Sequence, residues 1–272
     1  MRIYTTEARP PIIVMGMHRS GTGLITRILM KLGLFMGWIK EGDKEALFYL
    51  RKNESIFSMA GATWDNPSPI DYLLRDMQRS EEIFHSMQSY CSSSRKVIFW
   101  GPRLFSRKGW WGWKDPRNTF TLPIWLKLYA DARIIHMVRN GVDVASSLMR
   151  REEHRLKTRA HMWHFSPRCL ELTGGFSLWR EYVRRGLGHE QALNSNCLRI
   201  RYEDLLGSSQ QSLERLVGFL GLGAGRDKIQ ELISLIDVSR GNVFFNDYML
   251  KAFYETVRED HYMRKLGYSD DP

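Results

Sequence analysis

Ile12-Ile13-Val14-Met15-Gly16-Met17-His18-Arg19-Ser20-Gly21-Thr22-Gly23 is the stretch that decides the fold class of this chain. Its apolar start, just behind Pro10-Pro11, predicts a short strand over 12–17. A glycine-containing loop over 16–23 comes next. Leu24, Ile25, Ile28, Leu29 and Leu32 then recur on one helical face, and Gly33 suits the C-cap. A glycine-rich turn from strand into helix lets backbone N–H groups approach an anion, and the helix N-terminus adds a favourable dipole.

The loop is similar to a nucleotide-triphosphate P-loop, GxxxxGK[ST], in Gly16 and Gly21. The next two positions differ. Thr22 stands where the lysine would be and Gly23 where the magnesium-binding hydroxyl would be. An ATP-dependent phosphotransferase needs that lysine and metal for its β- and γ-phosphates. Arg19 and Ser20, just before the glycine, suit a 5′-phosphate carrying one transferable group without a metal. The P-loop phosphotransferase is the alternative reading.

Further elements alternate along the chain. Residues 44–60 and 72–90 read as helices on either side of a proline-containing loop. Trp110 to Lys114 reads as a strand entering an Asp115-Pro116 turn, with a helix over 120–130. Ala132 to Val138 is a second clear strand, broken at Asn140-Gly141 and followed by a helix capped near Asp143. Cys197 to Tyr202 is a third, followed by the helix Ser209 to Leu220. Strands alternating with helices predict an α/β fold: a P-loop-like three-layer domain with a central parallel sheet flanked by helices. Ligands of such sheets sit at the carboxyl ends of the strands, where all these loops leave.

Composition narrows the function. The 272 residues, 43% hydrophobic with nine Trp, can bury a sizeable core in a single domain. No stretch approaches the roughly 20 apolar residues of a membrane span, and no signal-peptide pattern precedes Ile12, so a cytoplasmic protein is expected. Cys91, Cys169 and Cys197 are far apart and predict neither disulfides nor a zinc site. The net charge of +10 fits a nucleic acid, a membrane surface or a polyanionic small molecule. With no helix-turn-helix, zinc-finger or RNA-recognition signature present, nucleic acid is not the expected partner.

Four segments in order bring a family into view. His18-Arg-Ser-Gly-Thr22 resembles the 5′-phosphosulfate loop of sulfotransferases that use 3′-phosphoadenosine 5′-phosphosulfate (PAPS). Lys114-Asp-Pro-Arg117 resembles the Lys-Asp-Pro turn of the tyrosylprotein and bacterial branch. Val138-Arg-Asn-Gly-Val-Asp-Val-Ala-Ser-Ser147 resembles the 3′-phosphate motif, and Arg201-Tyr-Glu-Asp-Leu-Leu206 the Tyr-Glu-Asp strand end. The resemblance implies that Arg19, Ser20, Gly21 and Thr22 hold the 5′-phosphosulfate, with Gly23 beside them; His18, just before the loop arginine, reads either as a contact to donor or acceptor or as a satisfied structural histidine. The resemblance also implies that Arg139 and Ser147 grip the 3′-phosphate, that Tyr202 lies against the adenine, and that Lys114 and Arg19 stabilise charge on the transferring group. PAP would be the product, with no metal involved.

Two departures stand out. Gly23 replaces the family's usual Ser or Thr. Gly141 replaces a common Pro, and the catalytic His of the steroid and phenol branch has no match, which leans toward the branch with a Glu base. Lys44-Glu45-Ala-Leu-Phe-Tyr49 resembles that branch's Glu-x-x-Phe-Phe, so Glu45 is the expected general base and Glu41 the runner-up. The acceptor is left open: a small molecule, a glycan, a lipid or a peptide tyrosine, with acceptor-side segments about 40–95 and 150–195 and a C-terminal lid about 240–272. The run Arg150 to Arg159 reads as a solvated helix face, or as a lid or a contact to an acidic acceptor. The surroundings of Trp100, Trp163 and Trp179 read as core or as lining of an acceptor pocket.

Overall fold

The computed structural model describes residues 9–105, 109–241 and 243–269. The expected lid therefore includes residues 242 and 270–272, which lie outside the described residues. The chain divides into two compact units interleaved in sequence: residues 1–16, 22–136 and 192–198 form one, and residues 17–21, 137–191 and 199–272 the other.

The first unit holds β1 (Ile12–Gly16), α1 (Thr22–Lys31), a hairpin of β2 (Lys40–Glu41) and β3 (Glu45–Ala46), then α2 (Leu47–Met59), α3 (Ile70–Arg75), α4 (Met77–Ser92) and α5 (Val97–Trp100). After these come β4 (Gly112–Lys114), α6 (Asn118–Leu128) and β5 (Arg133–Val138), whose last two residues pass to the second unit. The second unit continues with α7 (Gly141–Thr158) and α8 (Leu172–Leu193). β6 (Cys197–Arg201) is shared, and α9 (Tyr202–Gly207), α10 (Ser209–Leu220), α11 (Arg226–Ile233), α12 (Tyr248–Val257) and α13 (His261–Lys265) follow.

The strands form a central parallel sheet in the order β4-β1-β5-β6. β1 pairs with β4 in the register Ile12↔Gly112 to Val14↔Lys114. All five residues of β1 are buried, as a strand covered on both faces requires. Gly112 is obligatory there, since a Cβ on it would come within 2.0 Å of the Ile12 carbonyl oxygen. An aromatic cluster fills this unit. Tyr49 stacks on Trp113 at 3.8 Å, Trp125 meets Trp113 edge-on at 5.1 Å, and Trp100 stacks against Phe35 at 5.5 Å.

Several element boundaries differ from the sequence reading. The helix expected from residue 44 begins at Leu47, because Lys44 has a left-handed φ of 78° in the β2–β3 turn and Glu45 is paired with Glu41 in the hairpin. The helix expected over 72–90 is two helices, broken at Asp76, whose side chain caps α4 by accepting from the Arg79 N–H. α7 is capped by Asn140, which accepts from the Val142 N–H at 2.9 Å, so Asp143 lies in the first turn and not at the cap. Trp100 and Trp179 are buried as expected, whereas Trp163 is 77% exposed and lies outside the core.

Candidate functional site

The phosphate loop leaves β1 and enters α1 over 17–21. Gly16 and Gly21 take positive φ angles of 138° and 92°, and Arg19 takes 68°, a left-handed conformation uncommon without glycine. Gly21 has a second reason to lack a side chain: a Cβ there would sit 2.4 Å from the ring of Tyr202. Ser20 is fully buried, and both its N–H and its hydroxyl donate to the Met17 carbonyl, which folds the loop tightly. Thr22 and Gly23 form the first turn of α1, whose leading N–H groups have no partner within the helix.

The second unit brings three of the expected anion-binding side chains together. Arg19 donates through Nε to Ser147 Oγ at 2.9 Å, and Arg139 donates to the Arg19 carbonyl at 3.3 Å. Arg139 also donates to Asp143 at 3.1 Å and lies 4.6 Å over the Tyr202 ring. Arg139 leaves the end of β5 while Ser147 stands two turns along α7, so strand and helix converge on one spot. Tyr202 is buried beneath the loop at the start of α9. His18 is partly exposed, with its ring edge-on to Tyr182 at 6.1 Å.

Residues not singled out in the sequence hold this geometry. Buried Asp143 ties Arg139 to the backbone N–H of Phe244. Glu203 accepts from the Asn140 N–H at 2.9 Å and from the Tyr268 hydroxyl at 2.7 Å, and burial raises its pKa. The glycine at 141 now has a reason: a Cβ would meet Phe176 at 2.7 Å and Trp179 at 2.9 Å, so these rings leave no room for a side chain. The basic run is likewise not simply a solvated face. Glu152 is fully buried and accepts from Arg151 at 2.7 Å, Arg155 at 3.0 Å and the Ser166 N–H at 3.1 Å. Mixed-sign charge in sequence gave no signal of this, since only the return of 162–166 onto α7 buries the carboxylate.

The first unit holds the expected base and its partner. Lys114, at the end of β4 and 1% exposed, donates to Glu45 Oε1 at 2.5 Å. Glu45 is itself buried, and loss of solvation raises its pKa, with Lys114 opposing and Asp115 reinforcing the shift. A carboxylate so placed is a stronger base than one in water. Glu41 pairs with Glu45 across the hairpin and is exposed. Behind Lys114 the turn is clamped by a buried polar network. Asn53 donates to Asp115 and Asn118, each at 2.9 Å, and Arg117 reaches Asp115 and Glu54, each at 3.3 Å. Asn53 was invisible as a site residue because nothing in a helical pattern marks one polar position as facing a distant turn.

A strand, glycine-containing loop and helix on a central parallel sheet make this a P-loop-like α/β protein. Comparison with known proteins sharpens this. The model of the sulfotransferase family matches residues 10–224, and the chain belongs to that family. Sulfotransferase 4A1 of Mus musculus is 28% identical over 107 residues, which is 38% of this chain and 36% of the relative, so the match spans about a third of the relative's length. The sulfotransferase domain from the Synechococcus PCC 7002 olefin synthase is 16% identical, with TM-score 0.56 over 100% of this chain and 99% of that one. Mouse sulfotransferase SULT7A1, solved in complex with PAP, is 14% identical, with TM-score 0.54 over 96% and 88%. These structures share the fold. Among the described residues, no helix is long and apolar enough to cross a membrane, and no His, Cys, Asp and Glu group could hold a metal ion.

Proposed function

We propose that this protein transfers a sulfuryl group from PAPS to a hydroxyl or amine of a small-molecule, glycan or lipid acceptor and releases PAP. The observation that carries the reading is the convergence of Arg19, Arg139 and Ser147 beside a phosphate loop that lacks the P-loop lysine and hydroxyl. The donor set fits the co-substrate: guanidinium groups and a hydroxyl suit phosphate and sulfate oxygens. When bound, PAPS supplies the sulfuryl group and a leaving nucleotide bearing the 3′-phosphate.

In this proposal Arg139 and Ser147 hold the 3′-phosphate, and Arg19 with the N–H groups of Gly21, Thr22 and Gly23 holds the 5′ end, while Ser20, whose N–H and hydroxyl both donate to the Met17 carbonyl, fixes the shape of the loop. Tyr202 supports the loop and borders the base. Glu45 takes the proton from the acceptor as its oxygen bonds to sulfur, and Lys114 and Arg19 offset the charge left on the nucleotide. The positive charge of the chain serves anionic substrates and not nucleic acid. Acceptor recognition falls to segments about 40–95 and 150–195 and to the C-terminal lid of a single sulfotransferase domain. The proposed compartment is the cytoplasm, whose reducing conditions suit three free cysteines.

Incubation with labelled PAPS and an acceptor panel, followed by mass spectrometry for an added sulfuryl group, tests the activity. Arg139→Ala is expected to weaken PAP binding by about 1.5–3 kcal/mol, the range of hydrogen bonds to charged groups. It should leave adenosine 5′-phosphate, which has no 3′-phosphate, nearly unaffected. Calorimetry showing equal losses for both nucleotides would remove Arg139 from the 3′-phosphate. Turnover is also expected to persist in EDTA, because arginine and lysine stand in for a cation. Activity abolished by EDTA and restored by magnesium would favour the phosphotransferase alternative.

A further inference from the structure

Helix α2 carries chemistry on a face that the catalytic proposal does not use. It turns Asn53 toward Asp115 and Glu54 toward Arg117. Arg51, Lys52 and Ser55 lie elsewhere on the helix and, with Tyr90 of α4, Arg95 and Ile98 of α5, line a cavity of about 400 Å³. Among the described residues its three charged linings are all cations, and no carboxylate lines it.

Lys52 is no ordinary surface lysine. It is 7% exposed, its ammonium donates to Ser86 Oγ at 2.9 Å, and it sits 5.5 Å from the centre of the Tyr90 ring. Arg95 approaches the same ring at 5.8 Å. Burial lowers the Lys52 pKa, and the charge of Arg95 adds to the effect. Three like charges around one cavity repel, and a dianion entering it relieves that repulsion while accepting charge-assisted hydrogen bonds. The volume is within the range of small-molecule sites.

We propose that this cavity is an anion-binding site for a tetrahedral dianion, either free phosphate or sulfate or the head of a phosphate monoester, gripped by Arg51, Lys52 and Arg95. The site does not rest on the donor assignment, since none of its residues belongs to the phosphate loop or the 3′-phosphate pair. Phenyl phosphate and inorganic phosphate are the probes, titrated calorimetrically into the wild type, Arg51→Gln, Arg95→Gln and Arg139→Ala. Both arginines of the cavity are exposed, so their variants should fold.

Saturable binding is expected, weakened about tenfold or more by Arg51→Gln and by Arg95→Gln, the scale of one lost charged hydrogen bond. Arg139→Ala should leave it intact. Equal affinity for the two probes would assign the free oxyanion, and tighter phenyl phosphate would assign the monoester. The proposal falls if neither probe saturates, if both cavity variants bind like wild type, or if Arg139→Ala alone abolishes binding.

Discussion

Glu45→Gln is expected to lower kcat by about 10²–10⁴, the usual contribution of a positioned general base, while leaving PAP affinity nearly unchanged. The substitution keeps the shape of the side chain and an oxygen for the Lys114 ammonium, which now lies 2.5 Å from Glu45 Oε1. What it removes is basicity and the negative charge paired with the buried Lys114 ammonium, so denaturant unfolding is measured beside turnover to separate lost chemistry from lost stability. Burial holds the Glu45 pKa above its ordinary value, so the acid limb of kcat/KM should lie above the usual carboxylate range and disappear in the variant. The same shift has a sign for stability. A carboxyl whose folded-state pKa exceeds its unfolded value contributes stability below the unfolded pKa, and that contribution is lost as pH rises through the folded one. Glu41→Gln is the control. Glu41 is exposed, so its loss should be mild. A larger loss from Glu41→Gln than from Glu45→Gln would transfer the role across the hairpin. If both variants turn over normally, the base is elsewhere, and His18 is the next candidate.

Lys114→Met should produce two large effects at once. Removing the ammonium leaves the Glu45 carboxylate buried without its cation, and breaking a buried pair in this way costs about 3–5 kcal/mol. It should also lower kcat by about 10²–10³, the range for losing one electrostatic stabiliser of a developing charge. The Glu45 pKa should climb further, because Lys114 is the chief influence now holding it down. The surviving activity should then have its acid limb at higher pH. The double variant Glu45→Gln, Lys114→Met separates the two effects. With no charge left buried alone, denaturant unfolding should show most of the stability regained, while turnover stays low. A single variant as stable as the wild type would contradict the buried-pair account. A double variant with restored turnover would remove both residues from the chemistry.

The sequence by itself determined the class of fold and named the side chains proposed to bind the donor. β1, the loop and α1 were legible because an apolar run, glycines and a helical stripe are local signals. Arg19 and Arg139 were legible because each stands just after a strand, where a parallel sheet gathers its ligands, and Ser147, two turns into α7, because the segment from Val138 resembles a 3′-phosphate motif. Lys114 and Glu45 could be named from short patterns, but the sequence assigned Glu45 to a helix, whereas the left-handed turn at Lys44 puts it on a strand. Only tertiary structure decided which polar residues are buried and against what. Asn53 reaches Asp115 across 62 positions, Asp143 meets the Phe244 N–H across 101, and Glu152 is buried by residues 162–166 folding back. The packing of Phe176 and Trp179 selects Gly141, and the Tyr202 ring selects Gly21. Hydrophobic period and turn chemistry act over a few residues and can be read along the chain. Desolvation, hydrogen-bond satisfaction and steric exclusion depend on neighbours that exist only once the chain has folded.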